Sequence, residues 1–287
     1  MKTELNQSLS TLSTINEIEL FRLMARIFNN GRTESTFVDE VHGQKGFVDY
    51  YSSFLGGIKK IEIADILIIT CNKRTNEMRI CFLQAKLRRR NYKRFLTFGA
   101  NLYQWELLKD KPNILDTYNK GFPFNILNFS NYQSITSYGI FYLDSHGEIE
   151  FLYTLPKHIK RRNGNKYQTM DFFADCHCPN NNCTSGQMKY ETISTCSMDM
   201  FANEVLACRV GAPVDSNVRP FVAKILKSMS QNSTQDNDIV YDFIRRLDYI
   251  DNEQSNDNYY PNTILILTDG DKMNKNFGKK ETLFPLN

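Results

Sequence analysis

An aspartate set in the middle of an isoleucine-rich strand constrains this chain more than any other feature. Ile61–Thr70 reads IEIADILIIT, and a polar turn later Met78–Lys86 reads MRICFLQAK. Both segments have the alternation and β-branched content of strands, so the spacing predicts a hairpin with strands near 61–70 and 78–86. Side chains alternate along a strand. Asp65 therefore shares a face with Ile61, Ile63, Leu67 and Ile69, while Gln84 and Lys86 share a face with Phe82. An ionised carboxylate on an aliphatic face is costly unless it is paired or holds a metal. The structural explanation is a plain Asp–Lys salt bridge with Gln84 as an ordinary edge residue. Buried ion pairs are weak stabilisers, however, and apolar replacements often serve as well. Their retention here points to chemistry.

An acid, an amide oxygen and an ammonium on adjacent strands suit phosphodiester hydrolysis. Asp65 offers a hard oxygen to Mg²⁺ or Mn²⁺, and the Gln84 side-chain oxygen or the Ala85 carbonyl completes the shell. The metal polarises the phosphate and activates a water, and Lys86 offsets the developing charge. Here the sequence resembles the PD-(D/E)xK phosphodiesterases: Ala64-Asp65, then Gln84-Ala85-Lys86, then a helix. Gln in the second acidic position is similar to the QxK variant of Mrr-like restriction nucleases and related antiviral effector nucleases. The resemblance covers residues 15–110. It implies a restriction-endonuclease-like core, DNA as substrate, a bacterial antiviral or restriction role, and a sensor or ATPase partner subunit or a homo-oligomer. It also implies an additional acid on the first helix, for which Glu19 is the candidate. Glu17 is assigned to a capping box opened by Thr14, and Glu62 lies on the wrong strand face unless a bulge turns it. The alternative function is a catalytically inert nucleic-acid- or protein-binding module on the same fold.

The remaining chain supplies the frame. Residues 1–13 are polar and expected to fray. A helix from Asn16 to Gly31 buries Ile18, Phe21, Met24 or Ala25, and Phe28. Phe98, Leu102, Trp105 and Leu108 fall at helical spacing, and the Asp144-Ser145-His146-Gly147 turn joins two strands. Helices are expected over 218–229 and 239–250, and a buried strand over 263–268. The class is α/β, or mixed α+β, around a mixed central sheet. Residues 1–155 are expected to form the nuclease core and 156–287 a C-terminal elaboration, or both one continuous domain.

The net charge of +3 is mild, so nucleic-acid contact must come from local patches. Arg88, Arg89, Arg90, Lys93 and Arg94 follow the motif directly and suit phosphate contacts. Lys157, Lys160, Arg161 and Arg162 form a second basic run, read first as a solvated face. Five of the seven cysteines lie between Cys176 and Cys208. Cys176, Cys178, Cys183 and Cys196 could close a structural Zn²⁺ site, or they are thiols in a loop, and Cys208 reads as core. No apolar run approaches the roughly 18 residues of a membrane span, and the N-terminus has no apolar signal region. A cytoplasmic protein without membrane contact is expected.

Overall fold

Alternating apolar strands need a partner layer on each buried face, and this chain supplies helices to both faces of one large sheet. The computed structural model describes residues 1–9, 16–30, 35–39, 46–54, 56–91, 96–115, 125–128, 132–161, 169–174, 185–188, 190–232, 238–247 and 262–269. Two helices come first, α1 (Lys2–Leu9) and α2 (Glu17–Asn30), followed by β1 (Ser35–Asp39), β2 (Phe47–Tyr51) and β3 (Ile58–Glu62). The central pair is β4 (Ile66–Asn72) and β5 (Met78–Asn91). After it come β6 (Leu96–Asn101), α3 (Leu102–Asp110), β7 (Ile114–Leu115), β8 (Thr136–Leu143) and β9 (Ile149–Thr154). The last third contains β10 (Ile159–Arg161), β11 (Thr169–Ala174), β12 (Ser185–Met188), β13 (Glu191–Thr195), α4 (Met198–Leu206), β14 (Ala212–Pro213), α5 (Arg219–Asn232), α6 (Asp238–Leu247) and β15 (Asn262–Thr268).

The main sheet runs β1-β15-β4-β5-β8-β9-β13-β12, with β14 beside β5. The pairs β15–β4 and β5–β8 are parallel and the other pairs antiparallel, so the sheet is mixed and the fold is α/β. Strands from both halves of the chain interleave in it. β15, from the C-terminal region, lies between β1 and β4.

Helices α1, α2 and α4 cover one face, packing Leu5, Phe21, Met24 and Phe201 onto Ile66, Ile68, Leu83, Ala85 and Phe151. Helices α5 and α6 cover the other face, over Leu67, Ile69, Ile80 and Phe82. Farther along that second face, α3 and the small sheet β10-β11-β6 form a third cluster around Trp105, Phe98, Phe172, Tyr138 and Ile140. Gln84 and Lys86 lie on β5 between Phe82 of the second cluster and the third cluster.

Several sequence expectations change. The strand read as 61–70 is two strands: β3 pairs with β2 in a separate three-stranded sheet, and β4 begins only at Ile66. Asp65 occupies the bend between them. The segment after Lys86 continues β5 to Asn91, so a strand stands where a basic helix was expected. Phe98 belongs to β6, and α3 starts at Leu102, capped by the Asn101 side chain, which accepts from Tyr103 N at 2.9 Å. Residues 2–9 are helical, because Met1 and Leu5 are buried and Lys2 pairs with Asp144, Glu148 and Glu150. Thr14 lies outside the described residues. Asn16 caps α2, accepting from Glu19 N at 2.9 Å. The helix buries Leu20, Phe21, Leu23, Met24 and Ile27, and the side chains of Ile18, Ala25 and Phe28 lie outside the described residues. The expected 144–147 hairpin, both C-terminal helices and the buried last strand are all present. Among the described residues no helix is long and apolar enough to cross a membrane.

Candidate active site

The site forms where β4 stops short of β5. The antiparallel pairing ends at Ile66↔Leu83, although β5 runs eight residues further, to Asn91. On the β8 side β5 remains paired, with Gln84 opposite Tyr138 and Lys86 opposite Ile140. On the β4 side its N–H groups beyond Leu83 lose their strand partner, and buried backbone donors must be satisfied by something. Two carboxylates take them. Ala85 N donates to Asp65 Oδ2 at 2.8 Å, and Leu87 N donates to Glu17 Oε1 at 3.0 Å. Residues 85 and 87 are one strand period apart, so the acids sit side by side along the edge of β5.

Asp65 Oδ2 also accepts from Gln84 Nε2. That amide nitrogen makes a longer contact, 3.5 Å, to the Ala85 carbonyl. The Gln84 Oε1 atom is buried and has no hydrogen-bond partner among the described residues. Asp65 keeps part of its surface accessible, yet burial is the largest influence on its carboxyl and raises its pKa. The Lys86 charge and the bonds from Gln84 and Ala85 oppose that rise without cancelling it, and Glu17 adds to it. Lys86 acts through space on Asp65 and Glu62. Among the described residues it makes no hydrogen bond and no direct ion pair.

Glu62, at the end of β3, reaches the same site because the strand breaks after it. Burial first, then the charge of Asp65, pushes its carboxyl up to about 7, with Lys86 pulling the other way. Its backbone is anchored from α3, where buried Gln104 donates through Nε2 to Glu62 O at 3.2 Å. Tyr138, fully buried beside Gln84, has a hydroxyl without a partner among the described residues. Burial, then the Asp65 charge, holds that phenol well above its ordinary range.

The structure thus brings together Asp65, Gln84 and Lys86, and adds Glu17, Glu62 and Tyr138. It takes Glu19 elsewhere: the Glu19 carboxylate pairs with Arg22 on α2. The acid of α2 that acts on Asp65 is Glu17. The signal was available, since Asn16 is at least as good an N-cap as Thr14 and leaves Glu17 out of the capping box. Glu62 needed the strand break, which has no local signature. Tyr138 sat unremarked in an apolar strand, although a tyrosine there needs a partner for its hydroxyl.

Arg88 continues β5 opposite Tyr142. The side chains of Arg89 and Arg90, and all of Lys93 and Arg94, lie outside the described residues. So do Cys176, Cys178 and Cys183, whereas Cys196 and Cys208 are buried. Arg161 of the second basic run stacks over the Phe54 ring at 4.5 Å.

The donors around Asp65 are oxygens of carboxylates, an amide and a backbone carbonyl, the set that a hard divalent cation accepts. The unpartnered Gln84 Oε1 fits such an ion. Among the described residues no three His, Cys, Asp or Glu side chains are grouped tightly enough to enclose a metal. An ion here would keep much of its water. Asp65 is its natural carboxylate, with Gln84 Oε1 or the Ala85 carbonyl beside it. No family model matches the chain, and no curated protein matches it.

Proposed function

We propose that the protein is a metal-dependent nuclease that hydrolyses DNA phosphodiester bonds, serving as the effector of a bacterial antiviral or restriction system. The observation that carries this reading is the edge of β5, where the carboxylates of Asp65 and Glu17 sit on adjacent N–H groups beside Lys86 and Glu62. Mg²⁺ or Mn²⁺, when bound, supplies polarisation of the phosphate and a bound water of lowered pKa. Asp65 holds the ion, its oxygen fixed in place by Ala85 N and the Gln84 amide. Lys86, charged and without a direct partner among the described residues, meets the negative charge that develops on the phosphate. Glu62, its carboxyl pushed up to about 7 chiefly by burial, is suited to take a proton from the attacking water. The defence role and the expected sensor or ATPase partner, or self-assembly, rest on the QxK resemblance alone.

The test is cleavage of plasmid and of single-stranded DNA with Mg²⁺, with Mn²⁺ and with EDTA. Asp65→Ala and Lys86→Ala are expected to abolish metal-dependent cleavage. Full cleavage by either variant overturns the reading. One observation favours the second reading, an inert binding module: the Gln84 amide already occupies an oxygen of Asp65. DNA bound with no cleavage under any divalent ion would establish that module instead.

A further inference from the structure

Two buried polar atoms without a partner among the described residues, Gln84 Oε1 and Tyr138 OH, belong to residues directly paired across β5 and β8. Directly paired residues project from the same face of a sheet, so the two groups are neighbours. Native structures rarely leave such atoms unsatisfied, and two together mark a position where something polar binds. The amide oxygen only accepts, while the phenol can donate as well as accept. A cation-bound water, its oxygen turned to the ion, can donate one hydrogen to the Gln84 oxygen and the other to the Tyr138 hydroxyl oxygen, giving both a partner at once. Their neighbour Asp65 is close enough for its charge to act on the Tyr138 hydroxyl. The Tyr138 ring is independently fixed, 6.1 Å from Phe98 between ring centres and packed in the α3 cluster.

We propose that Gln84 and Tyr138 together seat a water of the hydration shell of a divalent cation held by Asp65. This pair of neutral side chains then stands where a second carboxylate would otherwise bind the ion. The inference rests on the reading of Asp65 as a cation ligand. Magnesium keeps several of its waters when protein-bound, which makes neutral hydrogen-bonding groups around the shell effective ligands at one remove. Tyr138 acts as a positioning residue in this arrangement.

The experiment is calorimetric titration of the full chain with Mn²⁺, without nucleic acid, on wild type, Tyr138→Phe, Gln84→Leu and the double variant, alongside metal-free melting curves. Tyr138→Phe removes an unsatisfied hydroxyl and keeps the ring. Metal-free, it should melt at or above the wild-type temperature, while its Mn²⁺ affinity falls about 10-fold. Because both residues hold one water, the double variant should lose little more than either single variant. Mn²⁺ affinity of Tyr138→Phe within two-fold of wild type overturns the proposal, and so does a double variant whose loss is the product of the two. If wild type itself takes up no Mn²⁺, the cation reading of Asp65 fails and this inference fails with it. Wild-type binding with an unaffected Tyr138→Phe defeats this inference alone.

Discussion

Asp65→Asn separates a chemical site from a structural one, because the two explanations predict opposite changes in stability. Asp65 Oδ2 accepts from Ala85 N at 2.8 Å and from the Gln84 amide. An asparagine offers its amide oxygen to the same donors, so both bonds persist as neutral ones. That conversion costs roughly 1 kcal/mol per bond, about 2 kcal/mol in all. On the other side stands the desolvation of the charge, typically several kcal/mol for a buried ion. Its sign is decided by the raised pKa: burial outweighs Lys86, Gln84 and Ala85 together. A raised carboxyl means that the native state binds the proton more tightly than the unfolded chain. Stability is then highest at low pH and falls as pH climbs from the ordinary value of 3.8 through the folded value. At pH 7.5, well above the ordinary carboxyl value, the buried Asp65 is a net burden, and Asn removes it. Discounted for the accessible part of Asp65, the gain is about 1 kcal/mol, or roughly 2–4 °C in a chain this size. Scanning calorimetry of metal-free protein should show Asp65→Asn melting higher at pH 7.5, with the difference shrinking toward pH 4. The same variant should lose metal-dependent cleavage. A variant that melts several degrees lower at pH 7.5 would make Asp65 a structural cap on the β5 edge and refute the reasoning.

Glu62, pushed up to about 7, follows the same sign: wild type should gain melting temperature between pH 8 and pH 5.5, and a Glu62→Gln protein should lose that dependence. Buried Glu106 accepts from Tyr50 OH at 3.0 Å, Ser52 Oγ at 2.6 Å, Ser53 Oγ at 2.9 Å and Phe54 N at 2.9 Å. Burial opposes its charge, but these bonds prevail and lower its carboxyl, so its contribution is present above the ordinary 4.5 and disappears as pH falls through the folded value. Glu106→Ala should lower stability in urea titrations at pH 7 by about 3 kcal/mol, and by less at pH 3. A Cβ on Gly139 would come within 2.6 Å of the Phe151 ring and 3.1 Å of Phe21. Gly139→Ala should therefore overpack the core beneath α2 by about 2 kcal/mol, roughly 4–8 °C by calorimetry.

What the sequence revealed about this site follows from period two. The phase that put Asp65, Gln84 and Lys86 on one side survives, because β4 and β5 keep their alternation on either side of the bend: Leu67 and Ile69 share the Phe82 face. The bend itself was hidden. Ile61 through Thr70 is locally one good strand, and only tertiary pairing divides it, Ile61 with Val48 in one sheet and Ile66 with Leu83 in another. The long β5 was hidden for a similar reason. A run of arginines has little strand preference, and its parallel register with β8 holds it extended. Residues 2–9 looked too polar to fold, but their helix depends on Asp144, Glu148 and Glu150, more than 140 residues away. The elements that were legible, such as the 144–147 hairpin and α6, are those whose turn chemistry or apolar periodicity is complete within the segment.

On the proposed nuclease reading, a glutamine at position 84 in place of a second acid makes sense once the other acids are placed. Lys86 acts on both Glu62 and Asp65, the Glu17 charge acts on Asp65, and burial followed by the Asp65 charge pushes the Glu62 carboxyl up to about 7. A carboxylate in place of Gln84 would sit against Asp65. At 4 Å and an effective dielectric near 20, two such charges repel by about 4 kcal/mol, enough to force another proton into the site and weaken it as a cation ligand. The amide turns that contact into a hydrogen bond that orients Asp65. On this reading, Gln84 is one part of a rearranged acid set, with Glu17 from α2 and Glu62 from β3 beside it.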